Sequence, residues 1–333
     1  MNRSLPRAFT LLELLVAVTL TLGIAAVLLA VTASTLTLWR RAQDRFSTAA
    51  QAQLALDFLE RDLQAGVFRP DGSATWLAVT VANDAAGVAH HGWQTAARMK
   101  PATRESLVVL PRGSDERTPT IADARFGLSG AWLRFIAHNV ESAGSLPVAL
   151  SYQLARRPVS GAVADTANPA EVRYSLFRAA VAGDTSFAIG NDVMAAGYAS
   201  GAEAPAAARA ASTLTNPNTG NDTLVTNAVD FGVWLYVRDT AGALRRIFPA
   251  DAADLTHRAR DPGGAADDDR YPDVADVMLR VLSEDGARQI AAIEQGRVPR
   301  PAGFADDAQW WWAVVEANST VFVRRIELKG GAR

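Results

Sequence analysis

The chain has 333 residues, a formal net charge of −2 and no cysteine. The missing cysteine excludes disulfides, thiolate metal sites and cysteine nucleophiles. The near-neutral balance, with no basic stripe beyond Arg45, argues against a nucleic-acid partner.

Hydrophobic residues make up 49% of the chain and crowd its beginning, so the remainder reads as a water-soluble domain held together by burial. Arg3 and Arg7 come first, then a hydrophobic run from Phe9 to Leu38 whose only charged residue is Glu13. As a helix those 30 residues would extend about 45 Å, more than the roughly 30 Å hydrocarbon core of a bilayer. A carboxylate at the centre of such a segment costs about 2.5–3.5 kcal/mol, and less near an end; Glu13 lies about one turn from Phe9. A secretory signal peptide cut after Val31-Thr32-Ala33 would want an uncharged core of about 7–15 residues, and this run is twice that. A plain anchor fits by length but leaves Glu13 unexplained. Its orientation is also ambiguous, with Arg3 and Arg7 on one side and Arg40, Arg41 and Arg45 on the other.

The helix is expected to continue to about Gln64, since Leu38 to Gln64 contains neither Pro nor Gly and Gly66 supplies a stop. Gly23 offers a point of bending in the first half. Leu56, Leu59, Leu63 and Val67 repeat at three- and four-residue spacing and make an apolar stripe, with Asp57 and Arg61 as an i,i+4 pair on the other side.

From Thr75 the texture changes to short β-rich runs between turn residues: "ATWLAVTV", "ESLVVLP", "AWLRFIAH", "VALSYQLARR", "VRYSLFRAAV", "NAVDFGVWLYVRD", "LRRIFPA", "VADVMLRVLSED" and "STVFVRRIELKG". The fold class is therefore α+β, a long N-terminal helix packed on one or two antiparallel sheets. Residues 182–223, rich in Ala, Gly, Ser, Thr and Asn, and residues 251–270, with Asp, Arg and Pro-Gly-Gly, read as surface loops.

Candidate chemistry is sparse. His90 and His91 are adjacent, which on a strand points them to opposite faces, so a solvated loop is the expectation; His138 and His257 are isolated. Asp267, Asp268 and Asp269, with Asp273 and Asp276, could gather oxygen ligands for calcium, but their spacing fits no EF-hand loop and a hydrated acidic turn is favoured. Trp310, Trp311 and Trp312, read as strand residues, would send one side into the core and the other towards an edge or partner. No nucleophile elbow, phosphate loop or catalytic triad is legible, so no enzyme and no cofactor are expected.

A basic leader followed by "FTLLELLVAV" resembles the N-terminus of type IV prepilins and type II secretion pseudopilins. The order of the strand-like runs resembles that of the J-type minor pseudopilins. The resemblance implies that residues 1–8 are a leader removed by a prepilin peptidase between Ala8 and Phe9, with N-methylation of Phe9. It implies that residues 9–38 form a transmembrane and filament-core helix, 39–66 its amphipathic continuation, and 67–333 a periplasmic β-rich domain. Glu13, the fifth residue after the cut, would pair with the N-terminal ammonium of a neighbouring subunit as an assembly device. The family usually has Gly before the cut; here it is Ala8, the smallest alternative. The implied setting is the inner membrane and a filament tip, with other minor pseudopilins as partners; related minor pseudopilins bind calcium. The competing expectation is a membrane-anchored extracytoplasmic binding protein that joins no filament.

Overall fold

The computed structural model describes residues 10–69, 74–81, 131–138, 146–158, 172–195, 198, 214, 222–250, 256–260, 269–294, 296–305 and 307–328. The chain divides into two units, residues 1–47 and 48–333. Helix α1 (Leu11–Gln64) runs through 54 residues without a break, as the absence of Pro and the single interior Gly23 require. It is long and apolar enough to cross a membrane.

The second unit begins with the last turns of α1. There Ala52, Ala55, Leu56, Leu59 and Leu63 are buried, the face that the three- and four-residue spacing predicts. The helix stops at Gly66, where a Cβ would lie 2.9 Å from the Leu63 carbonyl oxygen and 2.8 Å from the Tyr271 hydroxyl. Gly66 thus ends the helix by permitting close packing.

Among the described residues ten strands follow in two antiparallel sheets. The first contains β1 (Leu77–Val81), β2 (Ala131–Ala137), β3 (Val148–Pro158), β4 (Val172–Val181), β5 (Thr223–Thr226) and β8 (Thr256–Ala259), in the order β5-β4-β3-β2-β1-β8. The second contains β6 (Ala228–Arg238), β7 (Leu244–Phe248), β9 (Val274–Leu282) and β10 (Ser319–Glu327), in the order β10-β9-β6-β7. Their inner faces share one core with α1. Leu133, Phe135, Leu150, Tyr152 and Leu176 enter it from the first sheet, and Phe231, Leu235, Val277, Leu279 and Ile326 from the second. Alternation at period two puts these residues on one face and their neighbours on the other.

Three expectations are corrected. Residues 182–223 are not simply a loop: α2 (Gly183–Ile189) opens them, and Val193, Tyr198 and Leu214 are buried against the first sheet's other face. Within 251–270, Thr256–Ala259 form β8, paired with β1. The run "VADVMLRVLSED" ends its strand at Leu282, and helix α3 (Glu284–Glu294) starts at once. Ser283 Oγ accepts from the Gly286 N–H at 3.1 Å, an N-cap bond that makes further extended pairing unfavourable. The run "ESLVVLP" lies outside the described residues.

The tryptophan run is corrected as well. Trp310, Trp311 and Trp312 sit on helix α4 (Asp307–Ala317), and all three are buried, at 8%, 1% and 5% exposure. Successive residues on a helix turn by about 100°, and Trp311 and Trp312 join a core cluster with Leu282 of β9 and Ile290 of α3. Trp311 and Trp312 meet edge to face at 4.9 Å, and Tyr174 of β4 meets Trp311 at 5.7 Å. The strand preference of Trp yields to this burial.

Candidate functional site

The first unit holds the candidate assembly segment. From Leu11 to Trp39 the side chains of α1 are exposed among the described residues, and most of them are apolar. Five of its hydroxyls are satisfied within the helix: those of Thr19, Thr21, Thr32, Thr35 and Thr37 each donate to a carbonyl three or four residues back, at 2.7–2.9 Å. Such back-bonding lets threonine sit in an apolar surrounding without an unpaired hydroxyl.

At the start of the segment, Glu13 Oε2 accepts from both the Thr10 N–H and the Thr10 hydroxyl at 3.0 Å. The Glu13 N–H donates back to Thr10 Oγ1 at 3.3 Å. This reciprocal pair is a capping box, which supplies partners to donors that a helix start would otherwise orphan, and the negative charge sits favourably at the positive end of the helix dipole. The sequence signal was present, Thr then Glu three positions on, ahead of an apolar run. Ala8 and Phe9 lie outside the described residues.

In the second unit the helix is locked to the first sheet by a buried ionic triad that sequence reading missed. Asp62 is only 2% exposed. Its Oδ2 accepts from the Tyr152 hydroxyl and from Arg178 Nε, both at 2.6 Å. Burial and the Asp62 charge push the Tyr152 hydroxyl well above its ordinary pKa, so it stays protonated and donates. The missed signal was an acidic residue one position before Leu63, inside the buried stripe. Asp57, read as the partner of Arg61, accepts instead from Arg324 of β10, which also donates to Glu60 at 3.0 Å. Arg61 lies over the Phe58 ring at 4.8 Å and 3.7 Å from Asp62 Oδ1.

A shallow depression opens between β4, β9 and α3, lined by Arg173, Tyr174, Leu282, Ile290 and Glu294 among others. Its polar groups are tied to each other. Glu294 Oε1 accepts from the Tyr174 hydroxyl at 2.6 Å and from Trp311 Nε1 at 3.1 Å. Arg173 donates to Glu284 at 2.6 Å, and Asn227 Nδ2 donates to the same carboxylate at 2.8 Å. Partial burial pushes the Glu284 pKa up, but these bonds outweigh it and hold the carboxyl below its ordinary value. The depression brings together no nucleophile and base.

Asp267 and Asp268 lie outside the described residues, and Asp269 accepts from Arg260 Nε at 3.0 Å. Asp273 accepts from the Arg238 N–H at 2.6 Å, and Asp276 holds Arg325 through both oxygens at 2.7 and 2.8 Å. Among the described residues no three His, Cys, Asp or Glu side chains are grouped to hold a metal. His90 and His91 lie outside the described residues. His257 is buried on β8, its Nε2 2.9 Å from the Arg270 carbonyl oxygen. On the outer face of the first sheet the Arg134 guanidinium lies over the Trp132 ring at 3.8 Å and donates to Thr80 Oγ1 at 2.9 Å. Burial and the nearby Arg258 push its pKa down to about 9, so it keeps its charge at neutral pH.

No protein-family model matches the chain, and neither the curated proteins nor the solved structures contain a match to it.

Proposed function

We propose that this chain is a J-type minor pseudopilin, a non-enzymatic structural subunit near the tip of a type II secretion pseudopilus or related type IV filament. In this reading residues 9–38 insert in the inner membrane and the β-rich domain lies in the periplasm. A prepilin peptidase cuts between Ala8 and Phe9, and the helix then packs against the helices of other minor subunits. One observation carries the proposal. A single unbroken helix presents the stretch Leu11 to Trp39 outward, apolar but for its threonines, Ser34 and its one carboxylate, Glu13, in the first turn. A lipid anchor could cap its helix with an uncharged Gln at that position, whereas a helical array of subunits uses the charge, because each N-terminal ammonium needs an anionic partner when it leaves water.

A photoreactive residue at the exposed position Leu20, activated in intact cells, tests the proposal. The filament reading expects crosslinks to the N-terminal helices of other leader-bearing subunits. Crosslinks to lipid alone, in cells that assemble the filament, would favour the anchored binding protein.

A further inference from the structure

The outer face of the first sheet carries positive charge that its surroundings do not balance. Antiparallel partners share a face, so the register sets Arg258 of β8, Ala78 of β1 and Arg134 of β2 in one row across it. The adjoining row holds Thr256, Thr80 and Trp132. Neighbouring strands stand about 4.8 Å apart, so the two arginines rise from backbones about 10 Å apart. Between them stands only the methyl group of Ala78.

Arg134 is buried, at 2% exposure. Its guanidinium lies over Trp132 and donates to Thr80 Oγ1, while its Nε–H meets no acceptor. Among the described residues neither Arg134 nor Arg258 has an ion-pair partner. The charge that acts most strongly on Arg134 is that of Arg258, of like sign; Asp192 opposes it with a smaller effect. Asp192 Oδ1 is already engaged by the N–H groups of Thr75 and Met194.

A buried charge without a counter-charge is costly, and a second cation across an alanine adds to the cost. A water molecule can satisfy an N–H but cannot neutralise two guanidinium groups. An anion does both. The Thr80 hydroxyl, buried as well, accepts from Arg134 and keeps its own O–H to donate. Arg258 is exposed, so the row is closed at its Arg134 end and meets solvent at the other.

We propose that the niche over Ala78, between Arg134 and Arg258, binds a doubly charged oxyanion of the phosphate class. The Arg134 Nε–H and the Thr80 hydroxyl donate to it from the buried side, and Arg258 closes over it from the solvent side. Thr256, opposite Thr80, offers a further hydroxyl. Two guanidinium charges match two anionic ones, and the planar guanidinium suits oxyanion geometry. With Arg134 buried, the ligand is a small anion rather than a macromolecular surface. The inference rests on the register of the first sheet and does not depend on the filament reading.

The test uses the full chain in detergent at about pH 8, where a phosphate group carries nearly two charges. Inorganic phosphate is the probe, and sodium chloride at matched ionic strength is the control. Calorimetry should show one saturable site for phosphate and none for chloride. Arg258→Gln, at an exposed position, should weaken phosphate binding about tenfold or more. Arg134→Met should abolish it and raise the melting temperature in phosphate-free buffer, because no stranded charge is left. Ala78→Val keeps both charges, fills the niche and should also abolish binding. Arg297→Gln, at an exposed arginine on another part of the domain, should bind as wild type does. Phosphate binding no tighter than chloride binding, or phosphate binding that folded Arg258→Gln leaves unchanged, overturns the proposal. Methyl phosphate separates the sources: weaker binding than inorganic phosphate assigns the niche to the free anion, equal binding assigns it to a phosphate ester, and both uphold the site.

Discussion

Glu13 carries one charge and has two uses for it. In the single chain its carboxylate caps α1 through Thr10; in the proposed assembly it meets a neighbour's ammonium. Gln serves the N3 position of a capping box as well as Glu does, so Glu13→Gln separates the two uses. That variant should insert in the membrane at wild-type yield yet fail to co-isolate with other leader-bearing subunits. Wild-type co-isolation of Glu13→Gln would leave the capping box as the whole explanation.

Asp62 is the second residue whose charge matters. Removing one partner of a buried ion pair costs about 3 kcal/mol or more, so Asp62→Ala should lower the denaturant midpoint strongly. Asp62→Leu combined with Arg178→Met should recover much of that loss, because no charge is left stranded. A double variant as unstable as Asp62→Ala would show that the triad's geometry matters more than its charge. The Leu59 and Leu63 stripe made the helix face legible in sequence. The acid beside it was illegible, because its partners Tyr152 and Arg178 lie about ninety and more residues away and only the folded sheet brings them to it.

Glu284 gives a pH signature. Its folded pKa is depressed, so its pairing with Arg173 and Asn227 stabilises the fold at pH values above the unfolded carboxyl pKa. That contribution is lost as the pH falls through the folded value. Glu284→Gln should therefore flatten the acid limb of a stability–pH curve and leave its neutral-to-alkaline part parallel to wild type. An unchanged acid limb would contradict the assignment.

At the scale of elements, α3 and α4 tell why some of the fold was hidden. The strands β1, β2, β3, β4, β6, β7, β9 and β10 were legible because alternation and turn residues mark them. Three helices were not, and α2 lies inside the stretch 182–223 that reads as a loop. α3 begins directly after a buried strand, so one apolar run served both, and only Ser283 with the acids Glu284 and Asp285 marked the change. α4 carries three consecutive Trp, whose strand preference misled. β8 was hidden because four residues are too few to show a period, and its burial comes from pairing with β1.

The junction of α3 with the turn before β10 is tight. A Cβ on Gly286 would lie 2.6 Å from Asn318 Cβ and 3.1 Å from its carbonyl oxygen, and neither atom is the end of a flexible chain. Gly286→Ala should destabilise the domain by about 1–3 kcal/mol, even though Ala is the better helix former. A melting temperature equal to or above wild type would mean that α3 shifts freely on its neighbours.

At the scale of the whole molecule, the two units are built on different rules. Residues 48–333 bury apolar surface between two sheets and a helix, and their ion pairs are closed on one another. Residues 1–47 satisfy every described threonine within the helix and leave the apolar surface outward, which a bilayer or a bundle of like helices can cover. The leader, the cut and the methylation follow from a resemblance carried by ten consecutive residues, so the central claim stands on the chemistry of the bond between Ala8 and Phe9. The most direct measurement is the mass of the N-terminal peptide of the chain extracted from membranes of cells with an active prepilin peptidase. The account predicts a chain that begins at N-methylated Phe9 and retains the whole of α1. A chain still carrying residues 1–8 would contradict it and leave a simple anchor, and a chain beginning near Ser34 would contradict it in favour of a secretory signal peptide.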